Sequence, residues 1–127
     1  MQSRQIPVVL VVEDEPLVAM AIADCVTDLG CQVLGPVGDL HQALRIVCTH
    51  KFDAALLDAN LGGKKVDELA NSLARAAIPF AFVTGYGRDI LPEAFRHVTV
   101  LTKPYDDDEL KQVIREMVAS KVRRHSG

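Results

Sequence analysis

The stretch Phe52-Asp53-Ala54-Ala55-Leu56-Leu57-Asp58-Ala59-Asn60-Leu61 limits the fold more than any other. Ala54 to Leu57 are apolar without a break, and Asp58 follows directly. An unbroken apolar run of this length suits a strand buried on both faces, as in a parallel sheet covered by helices on each side. A charge inside such a strand would be desolvated at high cost, so Asp58 belongs at its end. Asn60 and the pair Gly62-Gly63 then mark a loop. Open parallel sheets bind ligands at the carboxyl ends of their strands, which makes Asp58 a candidate for chemistry. Taken alone, it is explained equally well as a turn residue.

The rest of the chain repeats the pattern. Residues 7–12 form a β-branched run that leads straight into Glu13-Asp14-Glu15-Pro16. Pro16 suits the first turn of a helix, and the acids lie near the positive end of its dipole. Leu17, Met20, Ala21, Asp24, Cys25 and Leu29 follow at mixed helical spacing until Gly30 stops the helix. Helix capping accounts for one acid well but for three in a row poorly, because they repel one another. Residues 31–36 read as a less apolar strand nearer an edge. Asp39 is a good N-cap for a helix over 40–50, with Leu40, Ala43, Leu44 and Val47 on one face. A helix over 66–77 has Leu69, Leu73 and Ala76 on one face. The fourth strand, 79–83, ends at Thr84-Gly85-Tyr86-Gly87. Residues 87–97 read as a helix weakened by Pro92. The fifth strand, 98–102, ends at Lys103-Pro104, and a last helix over 106–122 turns Leu110, Val113, Ile114 and Met117 inward. Five strands alternating with helices predict an α/β fold with a parallel sheet.

At 127 residues the chain is the size of one domain, expected over residues 6–120 between an N-terminal tail, 1–5, and a basic tail, 121–127. Lys121, Arg123 and Arg124 contribute +3 to a net charge of −3, so residues 1–120 carry −6. An acidic body argues against nucleic acid as partner. No apolar run approaches the roughly 18 residues of a membrane span, and residues 1–7 lack a signal-peptide core, which predicts a cytoplasmic protein without membrane contact. Cys25, Cys31 and Cys48 have no metal-ligand spacing and read as small buried hydrophobes.

In a parallel sheet the strand ends carrying Glu13, Asp14, Asp58, Thr84 and Lys103 converge on one edge. Three carboxylates a few ångströms apart raise one another's pKa values unless a cation joins them. Such an oxygen-rich site suits Mg²⁺ with one or two carboxylates and phosphate oxygens. The Lys ammonium and Thr hydroxyl suit an anion, and Asp is a known phosphoryl-accepting nucleophile.

The motifs Val11-Val12-Glu13-Asp14-Glu15-Pro16, Leu56-Leu57-Asp58-Ala59-Asn60-Leu61, Val83-Thr84-Gly85 and Lys103-Pro104 resemble the signature of receiver domains of bacterial response regulators. The resemblance covers residues 6 to about 119. It implies a flavodoxin-like sheet of five parallel strands in the order 2-1-3-4-5. It further implies that Asp58 accepts phosphate from a histidine kinase or histidine phosphotransfer protein, and that a downstream protein partner reads the change. Asp14, Asp58 and the backbone carbonyl of Asn60 would ligate Mg²⁺, with Glu13 acting through water. Thr84 and Lys103 would hold the phosphoryl oxygens, and the bond before Pro104 would be cis.

Two positions depart from the family pattern. Val100 stands where an aromatic switch residue is frequent, and Gly62-Gly63 replaces a usual proline. The run Pro79-Phe80-Ala81-Phe82-Val83-Thr84-Gly85-Tyr86-Gly87 resembles the FATGUY receiver subfamily, which lacks that aromatic, making Tyr86 the substitute candidate. Two other classes stand beside this reading. A haloacid-dehalogenase-like phosphatase also uses a strand-end Asp, but Asn60 occupies its general-acid position and cannot transfer that proton. A pseudo-receiver would bind a partner without phosphorylation.

Overall fold

A computed structural model describes residues 6–61, 64–85, 91, 93–95 and 97–126. Five parallel strands form the sheet: β1 (Val8–Val12), β2 (Gln32–Val37), β3 (Ala54–Asp58), β4 (Phe80–Thr84) and β5 (Val100–Thr102). Their spatial order is 2-1-3-4-5. Four α-helices flank it: α1 (Pro16–Asp28), α2 (Leu40–Thr49), α3 (Asp67–Arg75) and α4 (Asp107–Ser126).

The unbroken apolar runs have a direct cause. Alternate residues of one strand point to opposite faces, and helices cover both faces. Leu10, Val12, Ala55, Leu57 and Phe82 pack with α2 and α3 through Ala43, Leu69, Ala70 and Leu73. Val9, Val11, Leu56, Ala81 and Val83 pack with α1 and α4 through Ile22, Val26, Leu110 and Ile114. Each fully buried Leu or Ile here contributes roughly 2–5 kcal/mol against truncation to Ala.

The α1 face that meets the sheet is Ala19, Ile22, Cys25 and Val26. Leu17 is 82% exposed and Met20 is exposed as well, because both fall on the opposite side of the 3.6-residue repeat. Of the cysteines, Cys25 is buried, Cys31 half-buried and Cys48 exposed near the end of α2, so the buried expectation holds for the first alone. Ala76 is exposed because α3 ends at Arg75 and the chain turns away. α4 continues to Ser126, past the expected end near residue 122, so residues 121–126 extend the helix.

β2 also runs further than its composition suggests. Its register against β1 slips between Leu10 and Val12, where Gly35 and Pro36 form a bulge. Gly35 has φ +100, and a Cβ there would sit 2.8 Å from the Val37 amide nitrogen and 3.0 Å from the Val11 carbonyl oxygen. Only glycine fits this conformation and spacing. Beyond the bulge the Glu13 amide donates to the Val37 carbonyl at 2.9 Å, which fixes the chain as it leaves β1. The Gly35–Pro36 and Lys103–Pro104 peptide bonds are both cis.

The expected loop after β3 contains a small antiparallel ribbon, Asn60–Leu61 paired with Lys64–Lys65. The helix read over 87–97 lies largely outside the described residues. Within it, Glu93–Phe95 forms a single 3₁₀ turn. Phe95 is buried against β4, its ring 6.2 Å from Phe80 and 6.1 Å from Phe82.

Candidate functional site

The carboxyl edge of the sheet collects acids from two neighbouring strands. β1 and β3 pair in parallel with Val12 opposite Leu57, so the residues after Val12 and Leu57 emerge side by side. Carboxylate oxygens of Glu13, Asp14 and Asp58 lie within 4.8 Å of one another. Glu13 is 3% exposed and Asp58 9%, whereas Asp14 is open to solvent.

Thr84 ends β4 one residue past Val83, which aligns with Asp58. It is 2% exposed. The Lys103 amide donates to the Thr84 carbonyl at 2.8 Å, tying the exit of β5 to the end of β4. The Lys103 ammonium then reaches back over the acids, 3.8 Å from Glu13 Oε1 and 3.5 Å from Glu15 Oε1.

Glu13 carries the electrostatic strain of the site. Its Oε2 accepts from the Glu15 amide at 3.1 Å. Its Oε1 is buried and accepts no hydrogen bond among the described residues, with Lys103 too distant to donate one. Burial pushes this carboxyl from its usual 4.5 up to about 7, the nearby Asp58 carboxylate adding to the rise while the Glu15 amide and Lys103 oppose it. Tyr105, half-buried beside the cluster, is pushed up to about 12 by burial first and by Glu13 next.

An orphaned buried carboxylate oxygen among three clustered carboxylates fits a hard divalent cation. The donors are all oxygens, and the excess negative charge is what such an ion neutralises.

Of the other sequence candidates, Asn60 opens the ribbon two residues after Asp58. Val100 is half-buried at the start of β5, aligned with Phe82 and packed on the α2–α3 side. Tyr86 lies outside the described residues. Sequence reasoning passed over Glu15 and Tyr105. Glu15 was visible as the third acid of a run that capping alone explains poorly, whereas nothing local marked Tyr105.

The chain matches the response regulator receiver domain over residues 9–115. It belongs to that family. Among solved structures, SdrG from Sphingomonas melonis Fr1 is 37% identical with a TM-score of 0.76, the match covering 92% of this chain and 97% of that one. Two curated relatives are longer. The transcriptional regulatory protein PdtaR of Mycobacterium tuberculosis is 28% identical over 119 residues, 91% of this chain and 58% of its own length. The phyllosphere-induced regulator PhyR of Methylorubrum extorquens is 29% identical over 112 residues, 85% of this chain and 42% of its own. This receiver therefore spans about half the length of the curated relatives it matches. Among the described residues no helix is long and apolar enough to cross a membrane.

Proposed function

We propose that this receiver accepts a phosphoryl group on Asp58 from the phosphohistidine of a histidine kinase or histidine phosphotransfer protein, and passes the signal on through a downstream protein contact. The observation that carries the proposal is the meeting of Glu13, Asp14 and Asp58 within 4.8 Å, with Lys103 reaching over them.

Asp58 ends a buried strand at the carboxyl edge of the sheet and is itself 9% exposed. An oxygen of its carboxylate attacks phosphorus, forming the P–O bond. The P–N bond breaks and its electron pair returns to the donor's imidazole. Lys103 offers a mobile cation to the phosphoryl oxygens, and Thr84 offers a hydroxyl from the adjoining strand end. Mg²⁺ held by Asp14, Asp58 and the Asn60 carbonyl, with Glu13 acting through water, would neutralise the carboxylates and offset the negative charge of the phosphoryl oxygens. The resemblance to the FATGUY subfamily makes Thr84 and Tyr86, in place of a residue at Val100, the elements that would relay the change. The printed names of the matched relatives, a transcriptional regulatory protein and a phyllosphere-induced regulator, support a regulatory role.

Incubation with Mg²⁺ and a small-molecule phosphodonor, followed by intact mass, tests the reading. One phosphoryl addition that disappears in Asp58→Asn supports it. Full labelling of Asp58→Asn at another residue sinks the assignment. No addition to the wild-type protein, with a partner still captured, favours a pseudo-receiver.

A further inference from the structure

Glu15 occupies the N-cap position of α1, where a carboxylate ordinarily accepts from the unpaired amides of the first turn. It makes no such bond. Its Oε1 lies instead 3.5 Å from Lys103 Nζ, across 88 residues of sequence. The Glu15 backbone is held in place independently, because its amide donates to Glu13 Oε2 and Pro16 follows at the first helical position. The side chain is thus aimed at Lys103 by an anchored backbone.

Lys103 is consequently shared. Its ammonium faces Glu13 Oε1 at 3.8 Å on the buried side and Glu15 Oε1 at 3.5 Å on the exposed side. The two contacts differ in kind. Glu13 is fully buried, whereas the Glu15 side chain is 66% exposed and its pairing is screened and readily exchanged.

We propose that Glu15 is a positioning residue for Lys103, holding the ammonium outward in the unmodified protein and competing with the phosphoryl group for it. This rests on the reading of Asp58 as the phosphoryl acceptor. The anion on Asp58 gains Lys103 when the ammonium gives up Glu15, so Glu15 lowers the occupancy of the modified state. An exposed pair of this kind shifts an equilibrium by roughly two- to fivefold. The third acid of the Glu13-Asp14-Glu15 run therefore has a task different from that of the first two.

The test compares the full chain with Glu15→Gln and Glu15→Asp. Gln keeps the length and removes the charge; Asp keeps the charge and withdraws it by one methylene. The apparent affinity for beryllium fluoride, a phosphoryl mimic, is measured in saturating Mg²⁺. The Lys103 side-chain NMR signal, assigned by its loss in Lys103→Met, is recorded without the mimic. Both Glu15 variants are expected to bind the mimic roughly two- to fivefold more tightly and to shift the Lys103 signal. Unchanged or weaker binding in Glu15→Gln overturns the proposal. So does tightening by Gln while Asp behaves as wild type, which marks a general charge effect. Failure of the wild-type protein to bind the mimic overturns the reading of Asp58. In that case the Lys103 signal alone decides whether Glu15 positions the ammonium, a shift in both variants supporting it and no shift refuting it.

Discussion

Replacing Glu13 with Gln should stabilise the metal-free protein, and by an amount that depends on pH. The carboxyl is buried to 3% exposure, and one of its oxygens accepts no hydrogen bond among the described residues. Its pKa rises from 4.5 to about 7 on folding, with desolvation the largest cause. Between those values the folded chain holds more protons than the unfolded chain, so stability falls as pH rises. The penalty is absent below 4.5 and complete above about 7. It corresponds to roughly 3 kcal/mol at most, at 1.36 kcal/mol per pH unit. The neighbouring Asp58 carboxylate adds to the rise, while the Glu15 amide and Lys103 oppose it. Gln retains an acceptor for the Glu15 amide but loses the 3.8 Å pairing with Lys103, which returns less than about 1 kcal/mol. The variant should thus be more stable than wild type by about 2 kcal/mol at pH 8 and nearly equal to it at pH 4. Urea unfolding in excess chelator, repeated across that range, reads the difference, since a domain of this size unfolds in two states. A difference independent of pH, or a Glu13→Gln variant less stable than wild type at pH 8, would refute the argument. Added Mg²⁺ should restore wild-type stability more than that of the variant.

Three further outcomes are expected. Asp14→Asn should weaken Mg²⁺ binding much more than Glu13→Gln, as read by titration; equal losses would remove Asp14 from the role of direct ligand. Gly35→Ala should cost about 2 kcal/mol or more, because φ +100 opposes a side chain and the new Cβ meets backbone atoms of Val37 and Val11. A midpoint unchanged in urea would show that the bulge relaxes freely. Gly85, Gly87 and Pro92 weaken the helix that the sequence predicts over 87–97, and the segment follows directly on Thr84. As a candidate switch, its hydrogen exchange over residues 86–97 should be faster than over residues 110–117 without a phosphoryl mimic and slow down once the mimic is added. Equal protection in both states would leave the segment out of the switch.

The sheet was legible because burial on both faces writes itself into sequence as an unbroken apolar run. Val8 to Val12 and Ala54 to Leu57 are such runs, and their polar terminators locate the site edge. Elements whose residues answer to distant neighbours were harder to read. Gly35-Pro36 looks like the end of a strand, yet the bulge lets β2 continue to Val37 and receive the Glu13 amide. Gly62-Gly63 reads as a loop and lies outside the described residues, while the pairing of Asn60 with Lys65 on either side has no apolar alternation to announce it. In α1 the apolar residues surround the helix, so Leu17 and Met20 could not be told from the buried Ile22 by composition. Glu15 needed three dimensions, because its partner is 88 residues away.

The bond between Thr84 and Lys103, and the reach of Lys103 back to Glu13 and Glu15, also bear on how a new molecule becomes competent. Contacts between the first and last strands close late, since their loop entropy is met only when the intervening chain has folded. A partly synthesised chain ending before β5 would have its acids but not its cation. On the reading of Lys103 as a holder of the phosphoryl oxygens, a copy able to hold an anion at this edge would be one whose sheet is assembled from β1 through to β5.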